Sequence, residues 1–138
     1  MFDRIKTRLA SEEGFTLIEL LVVMIILGIL VAIAVPAYLS LTSNAHNAAA
    51  QSNVRSAIPA AETIYEQASP NSYATVTGAT LRASAPGISN SVKAGPNAAG
   101  DGYCIQATDG SSTFYYEGGN GGTATITSGS CPNTYTVS

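Results

Sequence analysis

At 138 residues, with 46% hydrophobic residues, six basic against nine acidic side chains and a formal charge of −3, the chain has the length of one ordinary domain. That balance excludes a basic stripe for a nucleic-acid backbone, and a single histidine without a CxxC pair speaks against a zinc site or a Ser-His-Asp or Cys-His catalytic arrangement. The apolar residues are concentrated between positions 15 and 41, whereas the part after Ser69 is rich in Gly, Ser, Thr, Asn and Ala, so two regions with different solvents are implied.

The chain opens with a short leader, residues 1–14, that carries Arg4, Lys6 and Arg8. Basic residues beside an apolar run favour the cytoplasmic side of a membrane, which would place everything after the run outside the cytoplasm. From Leu20 to Leu39 only Gly28, Pro36 and Tyr38 depart from aliphatic side chains. About 20 such residues are needed to cross a bilayer as helix, so residues 15–40 are expected to span the membrane. Glu19 lies at the front of this span, and the next charged side chain is Arg55. A carboxylate at membrane depth costs roughly 2.5 to 3.5 kcal/mol on insertion scales and therefore calls for a partner. A secretory signal peptide shares the basic start, and Ala32-Ile33-Ala34 imitates its cleavage motif, but its apolar core is shorter and carries no acid. A plain membrane anchor leaves Glu19 unexplained.

Gly14-Phe15-Thr16-Leu17-Ile18-Glu19-Leu20-Leu21-Val22-Val23, continued by the run from Ile26 to Pro36, resembles the N-terminal segment of type IV prepilins and of type II secretion pseudopilins. The resemblance implies that a membrane prepilin peptidase cuts between Gly14 and Phe15 and N-methylates the new terminus at Phe15. It further implies that the Glu19 carboxylate pairs with the terminal amine of a neighbouring subunit during assembly. Glu12-Glu13 departs from the basic residue many members carry before the glycine, which is expected to slow processing at most. Independently of the family, four helical residues rise about 6 Å, so the Phe15 amine and the Glu19 carboxylate share one helix face and can neutralise each other. Gly28 and Pro36 are weak points of the helix, by roughly 1 and 3 kcal/mol relative to Ala. Pro36 also leaves the Ala32 carbonyl without its amide partner. A kink explains this pair for an isolated subunit; the resemblance suggests that the stretch between them can unwind in a filament.

Beyond the span, residues 41–68 continue the helix. Val54, Ala57, Ile58, Ala61, Ile64, Tyr65 and Ala68 form an apolar stripe at helical spacing, with Arg55, Pro59, Glu62 and Glu66 on another face. One helix from Phe15 to about Gln67 is thus expected, with a bend or break possible at Pro59. His46, in an Ala- and Asn-rich stretch, is expected to meet solvent or another subunit rather than a metal.

Residues 69–138 form an extracytoplasmic head. Ser69-Pro70-Asn71-Ser72 ends the helix, and a linker follows to about Gly100 with one short helical turn over residues 76–83. Strands are expected at residues 103–108, 113–117 and 123–127, separated by Asp109-Gly110 and by Gly118-Gly119-Asn120-Gly121-Gly122. Tyr103, Ile105 and Ala107 would face one side, with Phe114, Tyr116, Ala124 and Ile126 as counterparts. Tyr115 and Tyr116 are read as sheet packing. The fold class is therefore α+β, a long transmembrane helix whose C-terminal half packs on an antiparallel sheet of three or four strands. Cys104 and Cys131 read as a disulfide formed in an oxidising compartment, two reduced buried thiols being the alternative. The glycine cluster lacks the Lys-Ser/Thr of a phosphate loop and reads as a turn, and of Asp101, Asp109 and Glu117, the acids that could gather round calcium, the first two are better explained by Asp-Gly turns.

No catalytic residue, metal or cofactor is expected. Removal of the leader takes away three basic and three acidic side chains, leaving Arg55, Arg82 and Lys93 against six acids, still −3. Direct nucleic-acid binding is not expected. The expected function is that of a structural subunit, the major pilin of a type IV pilus. It would be a single-pass precursor in the cytoplasmic membrane with its N-terminus inside, and then part of a surface filament. Its partners would be copies of itself, the prepilin peptidase and the pilus assembly machinery. The alternatives are the major pseudopilin of a type II secretion system and an anchored binding module that never polymerises.

Overall fold

The computed structural model describes residues 15–138, so the leader and the Gly14 side of the expected cut lie outside the described residues. It divides into two units, one extending to Ser40 and the other from Leu41 to Ser138.

A single helix, α1, runs from Leu17 to Gln67. It begins two residues after Phe15, because Thr16 supplies the cap. The Glu19 amide donates to the Thr16 carbonyl at 3.1 Å and to Thr16 Oγ1 at 3.3 Å, which satisfies one of the amides that a helix start leaves without partners. The helix continues through Gly28, Pro36 and Pro59 without interruption. Near Pro59 the Thr63 hydroxyl donates to the Pro59 carbonyl at 2.9 Å.

In the first unit every side chain from Phe15 to Ser40 is exposed. In the second, Ala50, Val54, Ala57, Ala60 and Ala61 of α1 are buried, and Ile58, Ile64 and Tyr65 pack half-buried against the same core. The expected stripe is present, widened by Ala50 and Ala60. Small side chains predominate among the buried residues of this face.

After α1 the chain forms α2, Gly78–Ser84, where the expected turn lies. Thr77 and Thr80 make a reciprocal cap: the Thr80 amide donates to Thr77 Oγ1 at 3.2 Å and the Thr77 amide to Thr80 Oγ1 at 2.8 Å. Ala85 is extended, as a residue preceding proline prefers, and the helix ends there. Leu81 is its fully buried side chain.

The sheet is an antiparallel meander in the order β1 (Val92–Pro96), β2 (Gly102–Asp109), β3 (Ser112–Gly119), β4 (Ile126–Ser128). β1 lies inside the segment expected to be linker, where Gly95 and Pro96 argue against a strand. Close approach explains the glycine. Residues 135–138 run along the free edge of β1, with Ser138 N–H donating to the Ala94 carbonyl at 3.1 Å and Thr136 N–H to the Pro96 carbonyl at 3.0 Å. A Cβ at position 95 would strike the backbone of Thr136. Gly118 plays the same part on the inner face, directly across from Tyr103, whose ring occupies the space a side chain would take. β4 starts three residues later than expected, and Ala124 corrects its assigned place: it is exposed, outside the strand, with φ of 53°.

Tyr103, Ile105 and Ala107 face the core as expected, joined by Val76, Leu81, Ile88, Val92 and Ala94. Cys104 and Cys131 form a disulfide across 27 residues of sequence. In the chain-entropy picture a loop of that length restricts the unfolded chain by about 3.5 kcal/mol. Replacing both cysteines with serine is expected to lower the Tm of the full chain in detergent by roughly 15–25 °C. Coincident melting curves for variant and parent would contradict this.

Candidate functional site

The N-terminal half of α1 is the feature with the clearest demand for a partner. Its large apolar side chains are bare: Phe15 is 75% exposed, Leu17 81% and Met24 72%. An 18-residue window of the helix has a mean hydropathy of 3.1 and none of it is buried within the protein. Such a surface is stable in water only if lipid or other protein covers it, since contiguous apolar patches of this extent mark membrane or protein contacts.

Glu19 lies in the first turn of this helix, where the positive end of the helix dipole favours a carboxylate. Phe15 and Thr16 precede the helix, so Phe15, Glu19, Gly28 and Pro36 follow one another along one short stretch of chain. Gly28 has open space around it, with no atom within 4 Å of where a Cβ would stand. Another chain or a lipid tail can therefore approach the backbone closely at that point.

The second unit holds its own polar network, centred on an acid that departs from its expected place. Glu62, expected on the outer face, turns inward and is only half-exposed. Its carboxylate accepts hydrogen bonds from the Tyr103 hydroxyl at 2.7 Å and the Tyr73 hydroxyl at 2.8 Å. One acid thereby ties α1 to β2 and to the segment that follows α1. The tyrosines also touch one another: Tyr65 stacks on Tyr73 with centroids 4.4 Å apart, and Tyr73 meets Tyr103 at 4.7 Å. Burial, first, and the neighbouring Glu62 carboxylate, second, push both the Tyr73 and Tyr103 phenols well above the ordinary tyrosine range. A signal was present in the sequence, because Glu62 stands four residues after Ile58 at the margin of the apolar stripe.

His46 is exposed to solvent, as expected, and is also engaged within the chain. Its Nδ1–H donates to Asp109 Oδ1 at 2.6 Å, and its ring packs on Gly110 in the β2–β3 turn. Asp101 accepts from Asn97 Nδ2 at 2.7 Å and Asn120 Nδ2 at 2.9 Å, which clamps the start of β2 to the end of β3. The Asn120 bond, then the Asn97 bond, hold its carboxyl below the usual range. Burial and the Glu117 carboxylate raise the Tyr135 phenol. The three acids weighed for calcium thus have protein partners of separate kinds, and no cluster of three metal-ligating side chains occurs among the described residues.

Comparison with known proteins bears on the first unit. A family model described as the prokaryotic N-terminal methylation motif matches residues 9–35. The chain is 61% identical over 36 residues to a protein of Thermus thermophilus named "Type IV narrow pilus major component PilA5". That stretch covers 26% of this chain and 31% of the relative. No solved structure matches the chain.

Proposed function

We propose, from the premise that the N-terminal segment is a prepilin segment of the type IV pilin family, that this chain is the major structural subunit of a type IV pilus. The observation that carries the reading is the fully exposed apolar half of α1, interrupted by one acid near its start. As precursor, the chain sits in the cytoplasmic membrane with residues 1–14 inside. The prepilin peptidase cuts after Gly14 and methylates the amine of Phe15. The cut creates a positive charge four residues before Glu19, at the edge of an apolar medium.

In the filament, Glu19 of one subunit pairs with the Phe15 amine of another. Apolar helix surface that lipid covered beforehand is then covered by neighbouring subunits. The pair fixes axial register, because a slip would leave both charges without partners in low dielectric. The head, closed by its disulfide, Glu62 bridge and covered β1 edge, is displayed outside. The stated name of the Thermus relative, a major pilus component, supports assembly into a pilus in preference to a role as an anchor alone.

Mass spectrometry of subunits from sheared surface filaments tests this. The expected N-terminal residue is N-methyl-Phe15. Assembled protein retaining Met1 would overturn the reading. Filaments unaffected by deletion of the gene, with loss of secreted enzymes instead, would assign the chain to a secretion machine.

A further inference from the structure

Three Asx-Gly pairs occur in the head: Asp101-Gly102, Asp109-Gly110 and Asn120-Gly121. Such pairs are reactive because glycine offers no side chain to shield its backbone nitrogen from the preceding carbonyl carbon. The structure treats the three differently. Gly102 is buried and its N–H donates to Asn97 Oδ1 at 3.2 Å. Gly110 packs against the His46 ring, and the Asp109 carboxylate is held by His46. Asn120-Gly121 lies open. Both residues are exposed, Gly121 has no atom within 4 Å of a would-be Cβ, and its φ of 82° is a glycine conformation. The pair forms the centre of a turn closed by the Gly122 N–H donating to the Gly119 carbonyl at 3.2 Å. The Gly121 N–H makes no hydrogen bond among the described residues. Every other asparagine of the chain precedes Ala, Val, Ser or Thr.

We propose that Asn120 is a self-modifying site of the folded head, converting to aspartate or isoaspartate at a rate restrained by its bond to Asp101. The Gly121 nitrogen loses its proton and attacks Asn120 Cγ, forming a C–N bond as the side-chain nitrogen departs as ammonia. Water then adds to one carbonyl of the five-membered ring and opens it, with no oxidation or reduction. Opening at Cγ leaves aspartate, and opening at the main-chain carbonyl leaves isoaspartate. The restraint is geometric. Nδ2 donates to Asp101 Oδ2 at 2.9 Å, a bond that holds the side-chain amide and must break before its nitrogen can depart.

Conversion changes the clamp. The amide donor becomes a carboxylate facing the Asp101 carboxylate, so the link between the start of β2 and the end of β3 turns repulsive and the chain gains a negative charge. A filament exposed for long periods outside the cell would record its age at this turn.

The test uses the full-length protein in detergent, incubated at neutral and mildly alkaline pH in heavy-oxygen water, followed by peptide mapping. The expected result is heavy oxygen at position 120 before any other asparagine, faster at alkaline pH, and several-fold faster in Asp101→Ala. Circular dichroism confirms that the variant is folded, and Asn120→Gln, whose longer side chain closes the ring poorly, gives the unreacted baseline. Absence of label at 120 in parent and variant overturns the site. Equal or slower labelling in a folded Asp101→Ala overturns the restraint.

Discussion

Substitution of Glu19 by alanine is expected to remove surface filaments while leaving a processed subunit in the membrane. The change removes the carboxylate from the exposed apolar half of α1, so insertion of that half into a membrane is not weakened. A loss of filaments therefore cannot be ascribed to a poorer anchor. In the proposed assembly, what the variant lacks is the partner of the Phe15 amine. Each addition then buries a cation without compensation, and breaking one side of a buried pair costs about 3–5 kcal/mol. At about 1.4 kcal/mol per factor of ten this weakens each addition by more than about 100-fold. Growth repeats that step for every subunit, so even the lower figure ends elongation. Glu19→Asp retains the charge with a shorter reach and is expected to give few, short filaments. Electron microscopy of sheared material, with immunoblots of membranes for subunit level and size, provides the comparison. Filaments of normal number and length in Glu19→Ala would remove the ion pair from the account of assembly.

The second large effect is expected in the head. Glu62→Ala takes the acceptor from two phenols at once, Tyr103 fully buried and Tyr73 nearly so. A buried donor left without its partner costs about 1–3 kcal/mol, so for two phenols the loss is expected at about 2–6 kcal/mol. Glu62→Gln keeps an acceptor oxygen and is expected to lose less. Denaturant unfolding of the full chain in detergent, followed by tyrosine fluorescence, measures both. A Glu62→Ala variant within experimental error of the parent would show that the bridge does not hold α1 to the sheet.

The same phenols set a pH dependence. Their folded-state values are raised above the unfolded value of 10.0. Above about pH 10 the unfolded chain releases these protons while the folded head retains them, so the unfolded state binds fewer protons and stability falls as pH rises. The contribution is fully present below that pH and declines above it, with a limiting slope of about 1.4 kcal/mol per pH unit for each tyrosine. Unfolding midpoints that stay level from about pH 9 to about 11.5 would contradict the raised values.

Where sequence reading succeeded and where it failed follows from how far apart the interacting groups lie along the chain. The span from Leu20 to Leu39 and the stripe of Val54, Ala57 and Ala61 are patterns within one helix, and helical periodicity displays them directly. The alternation of Tyr103, Ile105 and Ala107 announced β2 for the same reason. β1 was hidden because its glycine and proline speak against a strand locally. They are tolerated because β2 pairs on one side and residues 135–138 approach closely on the other. Ala124 looked like a strand residue by composition, yet the Gly-rich turn before it extends further and leaves it exposed. Phe15, Glu19, Gly28 and Pro36 lie within one uninterrupted apolar stretch, so the sequence presents them together without any long-range pairing.

By itself the sequence determined that an apolar helix with one acid near its start must find lipid or protein around it, because the cost of a bare apolar surface and of an isolated carboxylate depends on composition alone. Only the tertiary structure decided which polar groups meet in the head. Glu62 lies 41 residues from Tyr103, His46 lies 63 from Asp109, and Asn120 lies 19 from the Asp101 that holds it. Each of these pairs depends on hydrogen-bond geometry within about 3 Å, and the path of the chain through the sheet and turns, which no local periodicity encodes, determines who stands at that distance.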